Sequence, residues 1–402
     1  MPRKKENGRA ASGTGTIRKK TVTRNGKEYP YWEARYTVGF DPGTGKQIQR
    51  SITGKTQKEV AQKLKAATAA LDAGTYTAPC KMTVGEWLDT WGTDYLGSVK
   101  PFTVVSYTGH IKNHIKPALG AVKLEALNTH TIQGFYNSLV RPPDEGGKGL
   151  SAKTLKNIHG VLHKALQQAV AVGYLRFNPA DACVLPRVIK KEIKPLDEEQ
   201  SKAFLVAIKG HPFETLFTFT LFTGLREGEV LGLCWDCVDF KRGTILIDKQ
   251  LQREKKKGGK YIFASLKNDK ARTVTPAPFV MKLLKHHRAK QAEQQLKLGP
   301  MWEDSGLVFT DEAGHHLATH TVYRAFKAIA SSIGCPDARV HDLRHSYAVA
   351  AIRSGDDIKT VQGNLGHATA AFTLDVYGHV TDQMKQESAR RMESYITDVL
   401  GQ

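Results

Sequence analysis

A histidine and an arginine at the start of one apolar helix could bind an anion. The segment HDLRHSYAVA begins with His341 and Arg344, three residues apart, and then becomes apolar. Residues three apart share a helix face, so these two side chains can point at one small target while Tyr347, Ala348 and Ala351 face a core. Histidine beside arginine is a repulsive pair unless something negative lies between them. The spacing therefore indicates an anion site, and the competing explanation is an ordinary polar first turn.

A second arginine begins another apolar segment, FTGLREGEVLGL. Its neighbours predict that Arg226 is buried, and a buried guanidinium is costly unless an anion or a carboxylate meets it. Glu229, three residues later, could be that carboxylate, in which case the pair is purely structural. Further along, Gly366 is expected to cap a helix, His367 follows at once, and Tyr377 comes ten residues after His367. Taken alone, Tyr377 fits a core tyrosine on a terminal helix.

In this order and spacing, these residues resemble the signature of the tyrosine recombinases. The resemblance is carried by Arg226, by His341 and Arg344 in HDLRH, by His367 in LGH, and by Tyr377. It covers the catalytic half of the chain, about residues 195–380. The whole layout resembles the three-domain integrases of phages and conjugative transposons. The resemblance implies a site-specific DNA recombinase, the integrase of a mobile element, that cleaves and rejoins strands during integration and excision.

The resemblance also implies a role for each residue. Tyr377 is the expected nucleophile, forming a 3′-phosphotyrosine and freeing a 5′-hydroxyl, although a phenol with a pKa of about 10 attacks poorly unless its proton is removed. Arg226 and Arg344 would hold the non-bridging oxygens through paired guanidinium donors, each contact lowering the barrier by ~3 kcal/mol. His341 is the candidate for receiving the phenolic proton. His367 would donate a hydrogen bond to the same phosphate.

The leaving 5′-oxygen needs an acid, which in this family is a lysine on a β-hairpin. The segment YIFASLKNDKARTVTP resembles such a hairpin, and Lys267 occupies the matching place. Lys270, three residues on, is the alternative. Without the resemblance, both read as solvated turn lysines. Glu229 matches an acidic position of the family and is expected to support Arg226 or the geometry of the site.

The N-terminal region combines strand patterns with much of the positive charge. The chain has a net charge of +20, and residues 1–75 carry 16 lysines and arginines against 6 acidic residues. Alternating apolar and polar residues predict three strands, followed by a helix with Thr56 as its N-cap. A sheet of this width can enter a DNA major groove, and the alternative is a basic tail that aids solubility. The predicted DNA-binding residues on the solvent face are Arg18, Lys19, Lys20, Arg24 and Arg35.

The predicted fold class is multidomain. It comprises a small α+β domain with a three-stranded sheet and a helix, an all-α core-binding domain, and a mixed, mainly-α catalytic domain with a small β-sheet. The predicted divisions are a flexible basic arm at 1–13, an arm-type DNA-binding domain at 14–74, a helical core-binding domain at 82–180, a linker at 181–194, a catalytic domain at 195–384 and a C-terminal helix at 385–402 that could contact a neighbouring subunit.

Several chemistries find no support in the sequence. No phosphate-binding G-x-x-x-x-G-K-[ST] loop occurs, and the lone CWDC and HHLATH segments do not make a zinc site, so neither a cofactor nor a metal is expected. No apolar run reaches the length of a membrane span, and the basic start lacks the apolar stretch of a secretory signal. The five irregularly spaced cysteines favour a reducing compartment, so the expected location is the bacterial cytoplasm, in association with the nucleoid.

The expected partner is double-stranded DNA at core and arm sites, bound by a homotetramer, with an excisionase or DNA-bending accessory protein as a further candidate. Two other functions remain open at this point. A type IB topoisomerase would use the same chemistry to relax supercoils, and a regulator could keep the scaffold without catalysis. The separate N-terminal module favours the recombinase over the topoisomerase, and the complete set of candidate catalytic residues argues against the regulator.

Overall fold

The computed structural model describes residues 15–73, 81–189, 194–254, 259–366 and 381–400. The chain divides into two compact units, Met1–Val188 and Ile189–Gln402, and each is described by itself. Within the described ranges, none of the helices combines the length and the apolar character that crossing a membrane would require. The predicted basic arm at 1–13 lies outside the described residues.

The first unit begins with the predicted three-stranded sheet and one helix. Strands β1 (Thr16–Arg24), β2 (Lys27–Phe40) and β3 (Gln47–Gly54) pair antiparallel in that order, and helix α1 spans Gln57–Asp72. The Thr56 side chain accepts a hydrogen bond from the Glu59 backbone N–H, so the predicted N-cap is confirmed. The alternation of β2 buries its apolar face against α1, where the small core consists of Ala34, Tyr36, Val60 and Leu64.

The strand register corrects one prediction about the basic face of this sheet. Arg18 pairs with Glu33, whereas Lys19 pairs with Trp32, which packs with the apolar face against α1. Successive residues of a strand point to opposite faces, so Lys19 lies on the opposite face from Arg18 and Lys20. The prediction that all the basic residues share one face is therefore wrong for Lys19.

The rest of the first unit is helical, as predicted. It contains α2 (Val84–Asp94), α3 (Pro101–His110), a π-helical turn (Ile111–Ile115), α4 (Lys116–Leu119), α5 (Thr129–Val140) and α6 (Ala152–Ala171). The predicted apolar stripe of α6 is buried in the core, and the Trp87 indole N–H donates to the Ala165 carbonyl at 2.8 Å. The stripe consists of Leu155, Ile158, Leu162 and Leu166.

The second unit mixes helices with two small antiparallel sheets. Its helices are α7 (Glu198–Ala207), α8 (Glu214–Thr223), α9 (Glu227–Leu231), α10 (Pro278–Leu298), α11 (Thr319–Ser332), α12 (Val340–Arg353), α13 (Ile358–Leu365) and α14 (Thr381–Leu400). Its strands are β4 (Val238–Asp239), β5 (Thr244–Ile247), β6 (Lys249–Arg253), β7 (Tyr261–Ser265) and β8 (Arg272–Val274). The predicted fold class is confirmed.

The strand pairing differs from the hairpin expected over residues 261–276. Strand β7 pairs with β6, and β8 pairs with β5 in the sheet β4-β5-β8, so β7 and β8 are not partners. Val274 of β8 is buried beside Ile245 of β5, and this packing in the main core decides the partner of so short a strand. Residues 266–271 are consequently a connection between two sheets rather than the turn of one hairpin.

Candidate active site

Helix α12 positions the histidine and arginine that share a face. Arg339 precedes the helix, and its backbone N–H and guanidinium both donate to the Asp342 carboxylate, which fixes the first turn. His341 keeps part of its side chain exposed, whereas Arg344, one turn later, is only 2% exposed. Ala348 belongs to a buried cluster on the core side of the helix, as predicted.

The buried Arg344 guanidinium donates to the ends of two other helices. Its Nη1 lies 2.9 Å from the carbonyl oxygen of Gly224, the C-cap of α8, and its Nη2 lies 2.7 Å from the carbonyl oxygen of Leu365 at the end of α13. The last carbonyls of a helix have no intrahelical donor and carry partial negative charge. These acceptors therefore offset part of the cost of burying the guanidinium before any substrate is bound.

Arg226 immediately precedes α9 and makes the internal pair that the sequence left open. Its Nη1 lies 2.7 Å from Oε1 of Glu229, and its Nη2 lies 2.9 Å from the Gly366 carbonyl oxygen. Its side chain is 21% exposed, so part of the guanidinium still faces solvent. The pair with Glu229 therefore holds Arg226 in place without sealing it inside the protein.

Arg272, which the sequence reasoning missed, completes the same network. Its Nη2 lies 2.6 Å and its Nη1 3.1 Å from the two oxygens of Glu229, and its Nε lies 3.0 Å from the Asn364 carbonyl oxygen. The available signal was an arginine inside the short strand ARTV, where a charged side chain beside core residues needs a partner.

Three arginines thus bind three consecutive carbonyls at the end of α13. Arg272 binds Asn364, Arg344 binds Leu365 and Arg226 binds Gly366. Gly366 adopts the left-handed conformation with φ +65°, which confirms the predicted C-cap. His367 and Tyr377 lie outside the described residues, and His367 is the next residue after this cap.

A cavity of about 400 Å³ brings the candidate lysines to the arginine network. Lys267 and Lys270 both line it, together with Arg226 and Arg272. Both lysines lie in the connection between β7 and β8. Although the predicted pairing of β7 with β8 was wrong, Lys267 still lies at the site, and Lys270 shares the same cavity.

The pKa values of the two histidines of α12 lie below the ordinary value. Partial burial, followed by the charge of Arg344, lowers the pKa of His341, and Arg226 is near enough to contribute. Burial and the neighbouring His341 lower the pKa of His345 to about 4. The two rings lie edge to face with their centroids 4.9 Å apart. A neutral His341 at physiological pH can accept a proton.

Glu229 is ionised despite being almost fully buried. Burial pushes its pKa up, but the hydrogen bonds and charge of Arg272, with Arg226, hold the pKa below the ordinary value. Its carboxylate is 1% exposed. Among the residues described, no group of three or more histidines, cysteines or carboxylates is placed to hold a metal ion.

The predicted DNA-binding residues of the N-terminal sheet belong to the first unit and take no part in this network. Lys20 and Arg35 both contact Glu33, with nitrogen–oxygen distances of 2.5 and 3.4 Å. Arg18 and Lys19 are exposed on opposite faces, and Arg24 is the last residue of β1.

The chain matches two family models, and two relatives each align with more than nine-tenths of it. Residues 194–384 match the phage integrase family, and residues 83–140 match the phage integrase N-terminal SAM-like domain. A XerC-like tyrosine recombinase of Caldanaerobacter subterraneus subsp. tengcongensis is 31% identical over 93% of this chain and 98% of its own. The ICEBs1 integrase of Bacillus subtilis is 25% identical over 91% of this chain and 97% of its own.

A solved structure shares the fold. The integrase of transposon Tn1549, in complex with a circular intermediate DNA, aligns with a TM-score of 0.64 and 20% identity over 77% of this chain and 99% of that one. At this identity the likeness concerns the fold alone. The relative at 31% identity, which aligns with almost the whole chain, defines the class. The chain belongs to the tyrosine recombinase family, enzymes that cleave and rejoin DNA strands.

Proposed function

We propose that this site-specific recombinase, an integrase of a mobile element, cleaves and rejoins duplex DNA through Tyr377 with the arginine network holding the scissile phosphate. The observation that carries the proposal is the convergence of Arg226 and Arg344 on the last carbonyls of α13, directly before His367. Two guanidiniums oriented in advance can stabilise negative charge that develops on the phosphate without reorganising during the reaction.

The proposed proton transfers follow from the surroundings of each group. His341, with its lowered pKa and one exposed side, accepts the proton of Tyr377 as the phenolic oxygen attacks phosphorus. The bond from phosphorus to the 5′-oxygen breaks, and Lys267 protonates that oxygen, with Lys270 as the alternative donor. His367 donates a hydrogen bond to the phosphate, and Glu229 supports Arg226. The phosphotyrosine retains the energy of the phosphodiester, so rejoining is the same reaction in reverse.

The remaining parts of the chain have proposed roles in DNA binding and assembly. The arm-type domain at 14–74 would bind arm sites, and the helical domain at 82–180, linked through 181–194 to the catalytic domain at 195–384, would bind core sites. The net charge of +20 supports a polyanionic partner. A homotetramer would join two duplexes, with the C-terminal helix at 385–402 as a candidate contact between subunits. An excisionase or bending protein is a further candidate partner, and the proposed compartment is the bacterial cytoplasm at the nucleoid.

A nicked suicide substrate tests the nucleophile. The probe is a duplex carrying the joined ends of the element that encodes the chain, nicked beside the cleavage position so that the short product diffuses away. We expect a covalent protein–DNA adduct to accumulate with the wild type and to be absent with Tyr377→Phe, which retains the ring but lacks the hydroxyl. Tyr323→Phe, at an exposed tyrosine of α11 outside the arginine network, is the matched control. An adduct formed equally by Tyr377→Phe would assign the nucleophile to another residue.

A further inference from the structure

We propose that Arg272 is a positioning residue for strand cleavage, holding Glu229 and the end of α13 so that Arg226 keeps its place and its charge for the phosphate. The inference rests on the proposed function of this same site. It adds a residue from β8 to the arginines and lysines that the family resemblance implies.

The hydrogen bonds of Glu229 show why one arginine is not enough. Its Oε1 accepts from Nη1 of Arg226 and Nη1 of Arg272, at 2.7 and 3.1 Å. Its Oε2 accepts from the backbone N–H of Arg226 and Nη2 of Arg272, at 3.1 and 2.6 Å. Four donors therefore fill the acceptor sites of a carboxylate that water does not reach. Without Arg272, half of these bonds would be lost.

The balance of charge gives Arg272 its effect on the reaction. One buried carboxylate between the guanidiniums of Arg226 and Arg272 leaves a net charge of +1 on these three groups. If Glu229 faced Arg226 alone, the pair would be neutral, and Arg226 would stabilise an incoming phosphate less. Arg272 thus offsets the carboxylate that holds Arg226 in position.

The position of Arg272 in the fold links three elements of the site. Its strand β8 belongs to the sheet β4-β5-β8, where Arg272 itself pairs with Ile247 of β5. Its side chain, 13% exposed, contacts Glu229 of α9 and the Asn364 carbonyl of α13. A methyl group added at Gly366 would lie 2.9 Å from Nη1 of Arg272, so the guanidinium packs directly against the cap that precedes His367.

The contacts and exposure of Arg272 favour a positioning role. All three guanidinium nitrogens of Arg272 already donate, Nε to Asn364 and the two Nη atoms to Glu229. Arg272 lines the cavity beside Arg226 and Lys267, but its bonds are directed at protein acceptors. Arg226, its neighbour across Glu229, is the more exposed of the two arginines, at 21% against 13%, so we assign the influence of Arg272 on the phosphate to Arg226 and the end of α13.

The test compares Arg272→Gln and Arg272→Lys with Arg242→Gln, an exposed arginine in the turn between β4 and β5. Adduct formation is measured on the nicked junction duplex, and DNA binding is measured by gel shift. We expect Arg272→Gln to slow adduct formation ~100-fold, the lower end of the loss for a directly contacting donor, because Arg272 acts through Arg226. Arg272→Lys keeps the charge without the paired donors and should recover part of the rate. Arg242→Gln should match the wild type, and DNA binding should be retained in all three.

A substrate with a neutral phosphate separates positioning from a scaffold role. When a methylphosphonate replaces the scissile phosphate, charge stabilisation by Arg226 matters less, so the defects of Arg226→Gln and Arg272→Gln should shrink together.

A 5′-bridging sulfur makes the leaving group independent of an acid, so it should rescue Lys267→Ala and leave Arg272→Gln defective. Equal loss for Arg272→Gln on phosphodiester and methylphosphonate would overturn the proposal.

Thermal unfolding of each variant and adduct formation by the wild type are the controls for the positioning role of Arg272. If Arg272→Gln shows no cooperative thermal unfolding, Arg272→Lys carries the same comparison, and failure of both to fold would assign Arg272 to the scaffold and overturn the proposal. Arg272→Gln cleaving as fast as Arg242→Gln would also overturn it. If the wild type itself forms no adduct, the proposed function fails. If the wild type reacts and Arg272→Gln does too, only the positioning role fails.

Discussion

The two basic regions of the molecule hold their positive charge in opposite ways. In the second unit, Arg344 and Arg272 are almost buried and donate to fixed carbonyls and to Glu229. On the N-terminal sheet, Lys20 and Arg35 are much more exposed, and the described contacts of both are with Glu33. Buried and oriented charge suits the recognition of one phosphate at a defined distance, whereas exposed charge suits loose attraction to many phosphates.

Among the substitutions that test this difference between buried and exposed charge, Arg344→Gln should cause the largest loss. It leaves the Gly224 and Leu365 carbonyls without these donors and removes a guanidinium from the site. We expect cleavage to fall ~10²–10³-fold on the nicked duplex while DNA binding persists. Arg353→Gln, at the exposed end of the same helix, is the control. A parallel loss of binding and cleavage would show that Arg344 acts through affinity rather than on the transition state.

Glu229→Gln tests whether the buried network also stabilises the fold. Removing the charge leaves Arg226 and Arg272 without their shared anion, and we expect a loss of about 3 kcal/mol in unfolding free energy. Because the folded pKa of Glu229 lies below its ordinary value of 4.5, its contribution is complete above that pH and disappears as pH falls through the folded pKa. Urea unfolding at several pH values should therefore show the wild-type advantage shrinking in acid. A difference independent of pH would contradict the ion-pair explanation.

The titration of His341 tests whether the charge of the buried Arg344 acts on its neighbour in the site. Partial burial and Arg344 lower its pKa, so in the DNA-free protein its ring should become protonated only below the ordinary value of 6.5. Proton NMR can follow the ring, with His341→Gln identifying the signal. Arg344→Gln should raise the pKa of His341 because a nearby cation is removed. A wild-type pKa above 6.5 would place His341 in a different environment from the one described.

The smallest expected effect separates the two faces of the N-terminal sheet. Arg18 and Lys19 are adjacent, both exposed and on opposite faces, so each is the matched control of the other. The face of the sheet with Arg18 points away from α1. If this face binds DNA, Arg18→Ala should lower the salt dependence of binding by about one released counterion, and Lys19→Ala should lower it less. The measurement is the affinity of the full chain for a duplex from the end of the element at several salt concentrations. A larger effect of Lys19→Ala would assign DNA binding to the other face.

Local patterns in the sequence predicted the parts of the site that lie within single helices. The spacing of His341 and Arg344, the pair of Arg226 with Glu229 and the cap at Gly366 all depend on residues within one turn or one helix end. Such relations follow from helix geometry, and they appear in the structure as expected.

Relations between distant segments could not be read in the same way. Arg272 reaches Glu229 across 43 positions and Asn364 across 92, and no local period indicates such partners. The pairing of β8 with β5 rather than β7 likewise depends on which strand completes the main core. The error at Lys19 was of another kind, because the two-residue period of a strand already placed it opposite its neighbours.

The three acceptors at the end of α13 are main-chain atoms, and this has a consequence for how the protein can change. Substitution at Asn364 or Leu365 replaces a side chain but leaves the carbonyl in place. The anchoring bonds therefore do not depend on which side chains stand at 364 and 365, although Leu365 also fills the core, whereas Gly224 and Gly366 are both constrained by a positive φ. Substitutions elsewhere on the surface can therefore leave these main-chain acceptors intact.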